Sequence, residues 1–164
     1  MQIRDAEPAE LPEIGEIRVA AYRADGFLSA DSQYEATLRD LGADGGHVLV
    51  AVREDGELLG TVMLQGWPQA GRVVTGPDEA EIRALAVRRR ARGEGVGRAL
   101  IVAVIDRAVR ENVRHLVLYT QTDMTTAHRL YEAAGFVRLP ERDWSPEAGV
   151  RLLAYGLALD LLVT

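Results

Sequence analysis

The chain has 164 residues, 48% of them apolar and 27% charged, with a formal net charge of −6. This length fits one domain, read as 1–164, that buries roughly 70% of its unfolded surface. Cys and Lys are both absent and all 19 basic residues are Arg, which excludes disulfides, thiolate metal sites, Schiff-base chemistry and a Walker phosphate loop. The longest apolar run, 99–105, is far short of the roughly 20 residues that span a bilayer, and the start of the chain carries no signal-like apolar stretch. A soluble, cytoplasmic protein without membrane attachment is expected. Three scattered His offer no metal site, and the acidic balance argues against nucleic-acid binding.

Residues 2–4 read as a short strand and 9–22 as a helix, with Leu11, Ile14, Ile17 and Ala21 near helical spacing. A break at Asp25-Gly26 leads to a second helix over 32–41. Strands follow over 47–53 and 57–65, joined at Asp55-Gly56, a strong hairpin signal. After a loop rich in Gly and Pro come a strand over 79–87 and a helix over 95–111. Residues 114–120 read as a strand and 124–134 as a helix capped by Gly135. Closing strands over 136–139 and 152–161 flank a loop at 140–146. The order is mixed α/β, with a central mixed sheet of about six to seven strands and about four helices, not the strict alternation of a doubly wound fold.

The informative segment is Leu85-Ala-Val-Arg-Arg-Arg-Ala-Arg-Gly-Glu-Gly-Val-Gly-Arg98. A strand runs through Gly93, Gly95 and Gly97 straight into a helix. Glycine permits positive φ and close ligand approach, and a helix N-terminus presents free N–H groups and a positive dipole end to an anion. Five arginines (88, 89, 90, 92 and 98) fall within eleven residues, which favours a phosphorylated ligand over a plain solvated basic turn. A dinucleotide fingerprint fails, because Arg98 or Leu100 stands where its last small residue is required.

The segment resembles the acetyl-CoA motif of the GNAT superfamily of N-acetyltransferases at Val87, Arg92, Gly95 and Gly97. A second stretch, Ala127-x-x-Leu130-Tyr131-x-x-x-Gly135-Phe136, is similar to that family's downstream signature. The resemblance implies a single-domain GNAT-like fold, acetyl-CoA as acetyl donor and direct transfer to an amine in a ternary complex. It implies that the backbone of Leu85, Ala86 and Val87 binds the pantetheine arm, and that the N–H groups of Gly93, Glu94, Gly95, Val96, Gly97 and Arg98 wrap the pyrophosphate. The Arg92 and Arg98 side chains would assist, with Arg88 to Arg90 reaching a 3′-phosphate or facing water. Met124 stands where many members carry an Asn that helps to hold the cofactor. Thr125, Thr126 and Asp123 are its neighbouring substitutes.

The resemblance makes Tyr131 the acid that protonates the departing thiolate; helical spacing alone reads it as part of a core stripe. It also makes Glu81 the general base, with Glu79, two residues earlier, in reserve. The plainer alternative for Glu81 is a hydrated pair with Arg83. His47 and His115 read as capping or surface residues, and His128 falls on a different helix face from Ala127. The resemblance puts the acceptor side where Tyr22, Phe27, Tyr34, Trp67 and Trp144 stand; with Asp25, Asp31 and Asp143 these would suit a cationic or amphipathic amine, the plainer alternative being that several are simply core. The alternative function is a non-catalytic acyl-CoA-binding or sensing module. The apolar end of the chain (Leu152, Leu153, Leu157, Leu159, Leu161, Leu162) permits a homodimer through strand exchange or edge contact.

Overall fold

The computed structural model describes residues 1–28, 33–43 and 45–159. Internal contacts group the chain into two compact units, the first joining Met1–Met63 to Ala84–Ala103 and the second Leu64–Arg83 to the chain from Val104 onward. The first unit contains β1 (Gln2–Asp5), α1 (Leu11–Ala24), α2 (Tyr34–Asp40) and β2 (His47–Val52). It also holds the start of β3 (Leu58–Gly66), the end of β4 (Glu79–Val87) and the start of α3 (Val96–Arg110). The predicted start of α2 at Ser32 lies outside the described residues.

The entry to α1 is fixed by a 3₁₀ turn, Pro8–Glu10. Arg4 grips Glu10 through two 2.8 Å bonds, and Glu10 in turn accepts the Glu7 N–H at 2.9 Å. The Arg4 bonds lead in holding the Glu10 carboxyl down to about 2. Ile14, Ile17 and Ala21, three and four residues apart, form one stripe of α1. They pack with Val48, Val50 and Val52, the alternate residues on one face of β2. β1 pairs antiparallel with β2 from Gln2↔Val52 to Asp5↔Leu49. The predicted apolar helix hides one charge. Arg18, fully buried, donates to the Leu38 and Leu41 carbonyls at 3.0 and 2.7 Å, capping the C-terminal end of α2.

The second unit contains β5 (His115–Gln121), α4 (Thr125–Ala133), β6 (Val137–Arg138), β7 (Trp144–Glu147) and β8 (Val150–Ala158). The expected loop at 140–146 is instead a 3₁₀ turn, Pro140–Arg142, followed by β7. The strand order is β1-β2-β3-β4-β5-β8-β6, with β7 also on β8, so among the described residues the mixed sheet has eight strands where about six to seven were expected. β8 pairs with β5 on one side and with β6 and β7 on the other. Its edges are therefore used within the chain, and Leu161 and Leu162 lie outside the described residues.

One ionic tie braces this unit. Glu79, buried in β4, receives both Arg142 Nη atoms at 2.9 Å, His115 Nδ1 at 2.6 Å, and the Thr75 N–H and hydroxyl at 2.9 and 3.0 Å. Burial alone would raise its pKa, but these bonds outweigh burial and bring it to about 2. Because the folded value lies below the unfolded one, the tie stabilises above about pH 4.5 and its contribution is lost as pH falls toward 2. Glu79→Gln should cost about 3 kcal/mol at pH 7. It should cost far less at pH 3, as read from urea unfolding at the two pH values.

Candidate active site

β4 ends at Val87 and a 3₁₀ turn, Arg89–Ala91, leads to the glycines. Gly93 and Gly95 adopt φ of +83° and +80°. A Cβ built on either meets nothing within 4 Å, so glycine is needed here for its backbone conformation and not for space. The first bond at the head of α3 runs from the Ala99 N–H to the Gly95 carbonyl. The N–H groups of Val96, Gly97 and Arg98 therefore sit at the helix end without intrahelical acceptors. An open, glycine-lined turn feeding a long helix is a fitting cradle for a diphosphate.

The arginines around this turn differ from expectation. Arg92 is locked by two 2.8 Å bonds to Asp25, which lead in raising its pKa, so its side chain braces the turn. Arg88 donates to the Leu58 carbonyl and to Glu13, both at 2.7 Å, and Arg90 pairs with Glu57 at 3.2 Å. Neither simply faces water. Arg89 and Arg98 are exposed and form no ion pair among the described residues. Just before Leu85, Ala86 and Val87, Ala84 sits at φ +53°, a left-handed kink inside a strand.

The two strand carboxylates have opposite environments. Glu81 is only 5% exposed and accepts the Gly71 N–H at 2.9 Å, with Arg83 Nε at 3.9 Å. The pair with Arg83 is present, but it is buried and not hydrated. Burial pushes the Glu81 carboxyl up, against the smaller opposing pulls of Arg83 and Gly71. Glu79 is consumed by Arg142, His115 and Thr75, so it cannot serve as the reserve base.

Tyr131, on α4, is also 5% exposed and packs with Phe136 and Tyr155 at ring-centroid distances of 5.7 and 6.4 Å. Burial holds its phenol well above its ordinary pKa. Met124 is half-buried and occupies the residue before α4. Thr125 and Thr126 are exposed, and the Asp123 carboxylate accepts the Thr122 hydroxyl at 3.0 Å. His115 binds Glu79, and His128 Nε2 lies 2.9 Å from the Gln121 carbonyl, so both serve the framework.

On the expected acceptor side, Tyr22 meets Phe27 edge-on at 6.4 Å and Tyr34 at 6.3 Å, while Trp67 is 50% exposed. Trp144 lies on β7 against Tyr119 at 6.4 Å. The carboxylates expected to attract a cationic amine are taken: Asp25 by Arg92, and Asp143 by Arg138, Arg151 and the Ala154 N–H. Asp31 lies outside the described residues. Reading the sequence missed Arg72, whose guanidinium lies 4.6 Å from the Trp144 centroid; its position directly after the Gly71 that holds Glu81 emerges only in three dimensions. Among the described residues no group of three His, Asp or Glu could hold a metal, and no helix is long and apolar enough to cross a membrane.

Comparison with known proteins places this geometry. The mycothiol acetyltransferase of Sanguibacter keddieii is 38% identical over 125 residues, covering 72% of this chain and 39% of that relative. The chain thus spans about two fifths of that protein's length. A GCN5-related N-acetyltransferase from Kribbella flavida is 30% identical, with a TM-score of 0.73 over 96% of this chain and 97% of that one. The yncA protein of Salmonella typhimurium, solved with its cofactor acetyl-CoA, shares the fold at 24% identity and a TM-score of 0.70, over 98% and 94% of the two chains. The profile of the Acetyltransferase (GNAT) family matches residues 11–136, and the chain belongs to that family.

Proposed function

We propose that the protein transfers an acetyl group from acetyl-CoA to a primary amine by direct attack, with residues 1–164 acting as one catalytic domain. The observation that carries this reading is the left-handed pair Gly93 and Gly95 opening onto the head of α3. That turn suits the diphosphate of coenzyme A, with Gly93 to Arg98 as its backbone donors and Leu85 to Val87 pairing with the pantetheine arm as an added strand would. Arg98 and Arg89 are the side chains left to assist, and Met124 is taken as a cofactor contact because it stands where many family members carry an Asn.

An amine attacks a thioester only when uncharged. For an amine of pKa about 10.4, neutralisation at pH 7 costs about 4–5 kcal/mol; for an α-amino group near 8 it costs about 1 kcal/mol. Glu81, with its raised pKa, is a stronger base than an ordinary carboxylate and removes that proton, directly or through a water. The nitrogen lone pair then forms the C–N bond and the C–S bond breaks. Tyr131 gives its proton to the leaving sulfur, and the phenolate recovers one from the acetylated nitrogen. Burial makes the phenol a weaker acid than usual, so its proton moves as the C–S bond breaks and not before.

Three outcomes test the reading. Coenzyme A should raise the melting temperature of the wild type. Gly95→Val, strained at φ +80°, should lower the melting temperature without ligand by several degrees and abolish the further rise that coenzyme A gives the wild type. Tyr131→Phe should lower kcat by about 100-fold in thiol-release assays with an amine panel while leaving coenzyme A affinity unchanged; an unaltered kcat would remove Tyr131 from the chemistry. Because burial raises the Glu81 pKa, its carboxyl stays protonated to higher pH and kcat/KM should fall as pH drops through that raised value. Glu81→Gln should lower kcat/KM and erase this acidic limb, leaving only the rise due to the amine.

A further inference from the structure

The second unit contains one arginine used differently from its neighbours. Arg142 is clasped by Glu79, Arg138 and Arg151 by Asp143, and Arg83 faces Glu81. Arg72 is exposed and pairs with no carboxylate among the described residues; its guanidinium lies 4.6 Å from the Trp144 ring centroid. Trp144 in turn rests on Tyr119, whose hydroxyl donates to the Arg142 carbonyl at 2.8 Å. Since Arg142 is itself clamped by Glu79, the platform beneath Arg72 is tied into the core of the unit. Stacking occupies the face of a guanidinium and leaves its in-plane N–H groups for a forked anion. Restriction on the ring also lowers the entropy lost when such an anion binds.

The neighbourhood fixes what the anion belongs to. The residue before Arg72 is Gly71, whose N–H holds Glu81, and consecutive Cα atoms are about 3.8 Å apart. The charges of Arg72 and Glu81 both act on the Tyr119 phenol, so the guanidinium and the proposed base share one neighbourhood. Asp143 and Glu79 are matched by their own arginines and Glu81 faces Arg83, so Arg72 is the cation here that no carboxylate pairs among the described residues. A purely cationic amine fits that field poorly; an ammonium group with a nearby carboxylate fits it.

Building on the transferase reading above, we propose that Arg72, laid on Trp144 beside Glu81, binds a carboxylate of the acceptor, so that the substrate is a small amino-acid-like zwitterion. The amine end lies toward Glu81 and the carboxylate toward Arg72.

The test compares free amino acids with their own carboxamides as acceptors, using wild type, Arg72→Gln and Arg72→Lys, with thiol release as readout. Every enzyme meets the same two amines, so the difference in amine pKa cancels when acid-to-amide ratios of kcat/KM are compared between enzymes. The ratio should fall by about 10- to 100-fold in Arg72→Gln, chiefly through KM for the acid, and should be partly retained in Arg72→Lys. Equal ratios in wild type and Arg72→Gln, with the amides still acetylated, would overturn the carboxylate assignment and leave the transferase reading standing. No thiol release with any amine, from protein that coenzyme A still stabilises against heat, would overturn the transferase reading and this inference with it.

Discussion

A strand that must feed a helix within a few residues has to turn its backbone sharply, and the turn needs conformations that side-chain-bearing residues adopt only under strain. Here Gly93 and Gly95 supply them at the head of α3, and Ala84 supplies a third left-handed residue inside β4 itself. The third is the costlier one, since alanine pays about 1–2 kcal/mol there. Ala84 is also buried with Val19, Leu28 and Leu38, and that packing holds it in place. The backbone assigned to the pantetheine arm thus lies between two departures from regular strand geometry, and its presentation rests on the packing around them.

Charge in this chain works through pairing. With no Lys, every cation is a planar fork able to hold a carboxylate through two bonds. Most of the forks are used for construction: Arg4 on Glu10 at the entry to α1, Arg92 on Asp25 beside the glycine turn, Arg142 on Glu79 and Arg138 on Asp143 in the second unit. Arg18 does the same with carbonyls, buried within an otherwise apolar stripe. Local counting of arginines around the turn therefore overstates the charge free for a ligand. What matters is which cations remain after the carboxylates have been assigned.

That explains which parts were legible from the residues. Periodicity and turn signals located the strand at Glu79–Val87 and the four α-helices of the described residues, because these depend on neighbours a few residues apart. β7 was not legible: its four exposed residues show no alternation, and Ser-Pro-Glu after Trp144 lacks β-propensity, so it exists because β8 offers it an edge. The glycine turn was legible because its requirement is local. The fates of Glu79 and Asp25 were not, because Arg142 and Arg92 come from 63 and 67 residues away in sequence. Tyr131 was legible by its motif, while its depth among Phe136 and Tyr155 depends on β8, which arrives later in the chain.

Glu79 and Glu81 show how far such distant partners decide chemistry. They share a strand, are separated by one residue, and both are nearly excluded from solvent. Burial raises the pKa of each. At Glu79 a bidentate guanidinium, an imidazole and the Thr75 donors reverse that effect and fix the charge permanently. At Glu81 one backbone N–H and an arginine at 3.9 Å are too weak to do so, and the carboxyl remains more basic than in water. A permanently charged group is a structural anchor; one whose charge is held at a cost can exchange a proton with a substrate. The same strand therefore carries an anchor and the proposed base, and the number of donors reaching each carboxylate separates the two.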